Sequence, residues 1–166
     1  MKVERVGVLF VCLGNICRSP LAEGVFSKLA RERGLDAQFH ADSCGTSTWH
    51  EGEAAHPAAR AVAQRNGFDI EAHVARQVSS RDFEAFRYIL AMDRANLRHL
   101  ERMAPGRNGP TLDLLLRFGG LEEEEVPDPY HADAGGFQAC LDLIRGGAEG
   151  VLRRIAAKHF APAESA

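Results

Sequence analysis

Residues 6–24 read VGVLFVCLGNICRSPLAEG and join an unbroken apolar run to a helix-like pattern through a short loop. The run Val6–Val11 predicts a strand that is buried on both faces, as in parallel sheets. After the loop, Ser19 is a good N-cap and Pro20 suits the first position of a helix. Apolar residues then recur at every fourth position, at Leu21, Val25 and Leu29. The stretch therefore predicts a loop between a buried strand and the N-terminus of a helix.

The rest of the chain repeats this alternation of strands and helices. The patterns predict three more strands, at residues 38–43, 88–92 and 112–116. They predict helices near residues 57–66, 80–87, 94–103 and 136–158, the last weakened by Gly146, Gly147 and Gly150. This order favours one three-layer α/β domain with a four-stranded parallel sheet. We assign residues 1–166 to that domain, with a core of about 4–160 and a short flexible C-terminal tail.

Polar residues follow the predicted strands where a ligand would bind. In open α/β sheets, ligands bind beyond the carboxyl ends of the strands, often at a helix N-terminus. The loop after Val11 lies at such an end. Asp93 follows the strand at 88–92 and is predicted to cap the next helix.

Composition and charge limit the possible partners. Of the 166 residues, 45% are hydrophobic and 26% charged, which is typical of a folded globular domain. The net charge is -3 and no basic stripe is visible, so we expect no nucleic-acid partner. No apolar run approaches the length of a membrane span, and no secretory leader is recognisable. We therefore expect a cytoplasmic protein with no membrane partner.

The four cysteines, at positions 12, 17, 44 and 140, do not suggest a disulfide scaffold. Zinc sites usually combine two pairs of closely spaced ligands, but Cys12 and Cys17 have no matching second pair. The seven histidines are dispersed along the chain. We expect neither a metal nor a cofactor.

The loop at residues 12–18 has the chemistry of an anion cradle with a nucleophile. Backbone N–H groups and a helix N-terminus attract phosphate or another oxyanion, and Gly14 permits a tight turn. The same groups, with Arg18, favour the thiolate of Cys12. The planar guanidinium of Arg18 can donate to two phosphate oxygens at once. A thiolate that faces the bound phosphate is a nucleophile directed at phosphorus. Taken alone, however, a cysteine and an arginine at this spacing are also compatible with a buried core cysteine.

Displacement of an ester oxygen from phosphorus also requires a general acid. Asp128 is the best candidate, since Pro127 and Pro129 stiffen the chain on both sides of it. Taken by itself, this segment is better interpreted as an ordinary turn, because Asp-Pro commonly forms turns.

Taken together, residues 8–23 and Asp128-Pro129-Tyr130 resemble the low-molecular-weight protein tyrosine phosphatases. The resemblance covers nearly the whole chain and is loosest between residues 111 and 125. It implies a flavodoxin-like sheet of four parallel strands and metal-independent hydrolysis of phosphomonoesters. The implied substrates are proteins that contain phosphotyrosine.

The resemblance also implies a role for each site residue. Cys12 attacks phosphorus and becomes a cysteinyl-phosphate, Arg18 holds the phosphoryl oxygens, and Asp128 acts as general acid and then base. Ser19 supports the thiolate, and Cys17 is placed to form a protective disulfide with Cys12 under peroxide. The implied substrate-binding residues are those of the loop and two aromatic walls: Leu13, Gly14, Asn15, Ile16, Cys17, Ser19, Trp49 and Tyr130. Asn15, Ser43 and His73 match positions that brace the loop. We expect a monomer with at most weak self-association.

Three other activities remain open on the same scaffold. Thioredoxin-coupled arsenate reductases share the loop but need further cysteines in mid-chain, and residues 45–139 contain none. Protein arginine phosphatases typically carry Thr at the position of Ile16, and the aromatic residues Trp49 and Tyr130 favour an aryl phosphoester. A non-catalytic phosphate-binding module would not need Cys12, Arg18 and Asp128 together. The sequence therefore favours a tyrosine phosphatase.

Overall fold

Four parallel strands form the central sheet of the computed structural model, which describes residues 4–160. The strands are β1 (Val6–Cys12), β2 (Phe39–Gly45), β3 (Tyr88–Ala91) and β4 (Thr111–Leu114). Their order across the sheet is β2-β1-β3-β4, with all three pairings parallel. The predicted α/β class and four-stranded parallel sheet are confirmed.

Within residues 4–160, six helices flank the sheet on its two faces. They are α1 (Arg18–Glu32), α2 (Pro57–Arg65), α3 (Asp82–Ala85), α4 (Arg94–Met103), α5 (Leu115–Phe118) and α6 (Ala134–His159), and a short 3-10 turn spans Asp36–Gln38. Successive side chains of a strand point to opposite faces, so β1 contributes to two cores. Phe10 packs with residues of α1, α2, α5 and α6, whereas Leu9 and Val11 pack with residues of α3 and α4. The result is the predicted three-layer arrangement.

The sequence prediction was wrong at several element boundaries, and two of these errors concern the core and the loop. Leu115 and Leu116 were predicted as the end of the fourth strand, but they belong to α5. Both are fully buried, and the periodicity of a short apolar run does not separate strand from helix. Ser19 was predicted as the N-cap of α1, but the helix begins at Arg18 and the N-cap position is Cys17. The Ser19 hydroxyl instead bonds to groups of the loop, described below.

Glycines allow α5 and α6 to approach each other closely. The sequence predicted that Gly146, Gly147 and Gly150 weaken the last helix, yet α6 is continuous from Ala134 to His159. A Cβ added to Gly150 would lie 1.9 Å from the carbonyl oxygen of Gly119, which follows α5. A side chain at this position is therefore sterically incompatible with the contact.

None of the helices within residues 4–160 is both long and apolar enough to cross a membrane. The predicted flexible tail begins beyond residue 160 and lies outside the described residues.

Candidate active site

The loop of residues 13–17 connects the carboxyl end of β1 to the N-terminus of α1, as the sequence predicted. It forms the floor of a cavity with a volume of about 490 Å³. The cavity brings together nearly all of the predicted site residues; it is lined by Cys12, Leu13, Gly14, Ile16, Cys17, Arg18, Trp49, His50, Asp128, Tyr130, His131 and Ala132. Asn15 and Ser19 are fully buried behind the loop.

Cys12 is the last residue of β1, and its sulfur accepts hydrogen bonds from the loop. The backbone N–H of Asn15 donates to the Cys12 Sγ at 3.2 Å. The Oγ of Ser19 lies 3.0 Å from the same sulfur. These two contacts fix the position of the Cys12 sulfur at the base of the loop.

Asn15 braces the loop through both ends of its side chain. Its Nδ2 donates to the Ser19 Oγ at 2.8 Å and to the Ser43 Oγ at 3.1 Å. Its Oδ1 accepts from the backbone N–H of Arg76 at 2.9 Å. The residue adopts a left-handed backbone with φ of 58°, a conformation that Asn tolerates better than most residues. These bonds tie the loop to β2 and to the segment that contains Arg76.

His73 holds the same loop from outside. Its Nε2 donates to the backbone carbonyl oxygen of Asn15 at 2.7 Å, because a carbonyl can only accept. Burial lowers the pKa of His73, and the hydrogen bond to Asn15 opposes that effect. The predicted bracing positions Asn15, Ser43 and His73 are therefore brought together around the loop.

Arg18 is almost completely buried and is held by groups from two distant segments. Its Nη1 donates to the Asp93 Oδ2 and to the Val126 carbonyl oxygen, both at 2.8 Å. Its Nη2 lies 3.8 Å from the Asp128 Oδ2. The guanidinium is therefore positioned at the site before any anion arrives.

Sequence reasoning missed the contact between Asp93 and Arg18. The predicted cap is confirmed, because the Asp93 Oδ1 accepts from the backbone N–H of Asn96 at 2.9 Å. The other carboxylate oxygen binds Arg18. Asp93 follows β3, which pairs directly with β1, so the parallel order of the strands was the available signal.

Asp128 lies at the mouth of the cavity on an anchored segment. Its Oδ1 accepts from the backbone N–H of Tyr130 at 3.1 Å, which forms a tight Asx turn. Val126, two residues earlier, is fully buried and donates its N–H to the Met92 carbonyl at 2.9 Å. The Asp128 side chain is 44% exposed, so it can exchange protons with solvent.

Two aromatic rings flank the opening. Trp49 is 76% exposed, so it is not a core residue, and Tyr130 is 41% exposed. The Tyr130 ring packs edge-on against His56, with ring centroids 5.5 Å apart, and tilts against His50 at 5.8 Å. His50 also contacts the Glu53 carboxylate. Sequence reasoning did not identify His50, because no motif distinguishes it from the other histidines.

The other cysteines are buried thiols. Burial raises the pKa of Cys17 far above its ordinary value, with a further contribution from Cys12. Burial likewise raises the pKa of Cys140 to about 12. Cys12, Cys17, Cys44 and Cys140 are all unpaired. Within residues 4–160, no group of three or more His, Cys, Asp or Glu side chains is arranged to hold a metal ion.

Comparisons with known proteins identify related sequences over most of the chain. The family model described as low molecular weight phosphotyrosine protein phosphatase matches residues 7–161. The low molecular weight protein-tyrosine-phosphatase YfkJ of Bacillus subtilis is 41% identical over 153 residues, covering 90% of this chain and 96% of that protein. The low molecular weight phosphotyrosine protein phosphatase of Homo sapiens is 38% identical over 144 residues, covering 83% and 90%.

Solved structures of similar proteins have the same fold. A protein tyrosine phosphatase from Entamoeba histolytica with Hepes in its active site superposes with a TM-score of 0.88 at 34% identity, covering 92% of this chain and 98% of that one. YfkJ of Bacillus subtilis gives a TM-score of 0.86 at 38% identity, covering 94% and 98%. A Drosophila arginine phosphatase gives 0.84 at 32% identity, covering 95% and 99%.

Proposed function

The chain belongs to the low-molecular-weight phosphotyrosine protein phosphatase family, and we propose that its tyrosine phosphatase activity proceeds through a cysteinyl-phosphate on Cys12. As members of this family, its relatives are phosphoric monoester hydrolases that act as protein tyrosine phosphatases. The observation that carries the proposal is the position of the Cys12 sulfur. It lies at the cavity floor, within hydrogen-bond distance of Asn15 N–H and Ser19 Oγ and beside the buried guanidinium of Arg18.

In the first step, the Cys12 thiolate attacks phosphorus as the bond from phosphorus to the ester oxygen breaks. Asp128 gives its proton to the leaving phenolic oxygen, and the phosphoryl group remains on sulfur. The exposed position of Asp128 at the cavity mouth, opposite the thiol on the floor, supports this division of roles. Pro127 and Pro129 restrict the segment that carries the acid.

Arg18 and the loop amides stabilise the transferring phosphoryl group. Charge is distributed over its three equatorial oxygens in the transition state, so fixed donors lower the barrier most. The Nη1 of Arg18 is held by Asp93 and Val126, which leaves Nη2 facing the cavity near Asp128. The guanidinium needs no reorientation when substrate binds.

In the second step, water attacks the phosphorus of the cysteinyl-phosphate and the Cys12 thiolate leaves. Asp128, now ionised, takes a proton from that water, and phosphate is released. The Ser19 hydroxyl, 3.0 Å from the sulfur, donates to the departing thiolate. This donor matters most here, because negative charge returns to sulfur in this step.

The cavity suits an aromatic phosphoester. Trp49 and Tyr130 stand at its opening, where the phenyl ring of phosphotyrosine can pack against them. Ile16, a branched apolar residue, is buried within the loop that lines the cavity. We therefore assign phosphotyrosine-containing proteins as the substrates rather than proteins phosphorylated on arginine.

The state of the cysteines supports a reducing compartment as the location of the protein. Four unpaired thiols suit the cytoplasm, where disulfides rarely persist. Cys17 lies in the same cavity as Cys12, which supports its role as the partner in a reversible protective disulfide. The assignment of residues 1–166 to one phosphatase domain, and a monomeric state, remain predictions.

Hydrolysis of p-nitrophenyl phosphate by wild-type and variant proteins tests the mechanism. Cys12→Ser is expected to abolish turnover, whereas Cys140→Ser, at a buried cysteine in α6, serves as the matched control and retains it. Asp128→Ala is expected to lower kcat by about 10²-fold or more, the usual range for a general acid. Phosphate trapped on Cys12 after rapid acid quenching would identify the intermediate by mass.

Three results would contradict the proposed mechanism or substrate class. Turnover that survives Cys12→Ser would exclude a cysteinyl-phosphate on that residue. Arsenate-dependent oxidation of thioredoxin, or faster hydrolysis of phosphoarginine than of phosphotyrosine in matched peptides, would exclude the assigned substrate class.

A further inference from the structure

A chain of hydrogen bonds connects the proposed nucleophile to a carboxyl group on the far side of α1. The Ser43 Oγ donates to the Glu23 Oε1 at 2.7 Å. The Asn15 Nδ2 donates to the same Ser43 Oγ at 3.1 Å and to the Ser19 Oγ at 2.8 Å, and Ser19 lies 3.0 Å from the Cys12 sulfur. Glu23 is therefore the end of a path of four hydrogen bonds.

The direction of each bond along this path can be deduced. The Arg76 backbone N–H can only donate, so the Asn15 side chain must turn its oxygen toward Arg76 and its Nδ2 toward the two serines. An ionised carboxylate only accepts, so Glu23 takes the single hydroxyl proton of Ser43. Ser43 is then left as an acceptor for Asn15.

The same logic determines where the Ser19 proton points. Ser19 Oγ accepts from Asn15, so its own proton is free for a further acceptor. The two acceptors within reach are the Cys12 sulfur at 3.0 Å and the Cys44 carbonyl oxygen at 3.3 Å. The sulfur is nearer, and as a thiolate it carries the greater charge. The bonds from Glu23 onward thus deliver a donor to Cys12.

We propose that Glu23 is a positioning residue whose carboxylate fixes the direction of the Ser43 hydroxyl, keeps Ser43 as an acceptor for Asn15, and so helps to hold the Ser19 hydroxyl toward the Cys12 sulfur. The inference rests on the proposed role of Cys12. Without an acceptor at position 23, the Ser43 hydroxyl proton has no partner in this path. It can then turn toward the Asn15 Nδ2–H, and the two donors repel each other. Arg76 still fixes which end of the Asn15 amide faces the serines, but the Asn15 Nδ2 is displaced from its position between them, and Ser19 no longer donates steadily to the Cys12 sulfur.

Glu23 lies outside the catalytic cavity, so it cannot act on substrate directly. It lines a separate cavity of about 220 Å³, together with Pro20, Gly24, Asp69, Ile70, Ala72 and His73. Asp42 and Arg76 also act on its carboxyl through their charges. Any effect of Glu23 on turnover must therefore pass through the loop.

A split between two kinetic constants distinguishes this role from simple loop damage. The constant kcat/KM covers only the steps up to the first cleavage of the phosphoester, whereas kcat also covers breakdown of the cysteinyl-phosphate. Loss of the donor to the departing thiolate slows breakdown selectively. For p-nitrophenyl phosphate, we expect Glu23→Ala to lower kcat about tenfold, roughly the value of one hydrogen bond, with kcat/KM within about twofold of wild type. A pre-steady-state burst of p-nitrophenolate, approaching one equivalent per site, should accompany it.

Four further variants complete the experiment. Glu23→Met fills the same space without an acceptor and should reproduce the loss of kcat even where Glu23→Ala is unstable. Glu23→Gln retains an acceptor and should keep most of the wild-type kcat. Glu32→Ala, at an exposed position of the same helix, should match wild type. On a Ser19→Ala background, Glu23→Met should cause no further loss, because the two residues act on one step.

The proposal is overturned by an unchanged kcat in Glu23→Met, by equal losses in kcat and kcat/KM, or by additive losses in the double variant. These results differ from failure of the phosphatase mechanism itself, which would appear as turnover by Cys12→Ser.

Discussion

Asn15→Ala is expected to destabilise the folded protein strongly. The side chain is fully buried and makes three hydrogen bonds, to Ser19, Ser43 and the backbone of Arg76. Its backbone also adopts φ of 58°, which alanine disfavours. The substitution removes all three bonds and adds backbone strain.

The expected loss can be estimated from these contacts. Each hydrogen bond contributes a net value of about 1 kcal/mol, so three contribute about 3 kcal/mol. The left-handed backbone adds about 1 kcal/mol for alanine. We therefore expect the free energy of unfolding to fall by about 4 kcal/mol, measured by urea denaturation with an unchanged m-value.

Asn108→Ala is the matched control, because Asn108 also has a positive φ, of 71°, but is exposed. It should lose only the strain component, about 1 kcal/mol. The difference between the two variants isolates the hydrogen bonds of Asn15. If both variants lose the same free energy, the loop is not held by those bonds, and the explanation of its rigidity fails.

Two further predictions concern the core and the pH dependence. Gly150→Ala should lower the free energy of unfolding by about 2 kcal/mol or more, since its Cβ would collide with the Gly119 carbonyl. In the control Gly146→Ala, the new Cβ meets only the flexible Leu121 side chain, at 3.3 Å. Thermal or urea unfolding should show a change of less than about 1 kcal/mol for this control. Because burial lowers the pKa of His73, the unfolded chain binds a proton at this residue more readily than the folded chain does. The free energy of unfolding should therefore fall as the pH drops through about 6.5, and His73→Gln should flatten this pH dependence. An unchanged pH dependence in His73→Gln would contradict the assignment of the effect to His73.

Local patterns in the sequence were sufficient for the fold class and for most of the site. The apolar run Val6–Val11 and the change of period after it located β1, the loop and α1. Gly34, just beyond the end of α1, has φ of 69°, a backbone conformation that glycine adopts readily. The prediction failed at Leu115 and Leu116, where both possible elements are buried and short, so tertiary packing decided between them.

Hydrogen-bond partners were the part of the site that local patterns could not supply. Ser19 was expected to cap a helix, which is the best local use of a serine before proline. The folded chain instead surrounds it with Cys12, Asn15 and the Cys44 carbonyl. The Cys44 carbonyl becomes a neighbour of Ser19 only when β2 pairs with β1. The tertiary contacts therefore outweighed the local preference.

The sequence by itself indicated which residues to propose for the chemistry, because a nucleophile and a guanidinium with paired donors are properties of residue types and their spacing. Cys12 and Arg18 could be named in this way, whereas Asp128 also needed the family resemblance. Only the tertiary structure decided how they are held. Asp93 reaches Arg18 at 2.8 Å because β3 lies beside β1, and Glu23 is linked to Cys12 because β2 brings Ser43 between them. Such contacts join residues far apart in the chain, and their geometry follows from the order of strands in the sheet rather than from any local pattern.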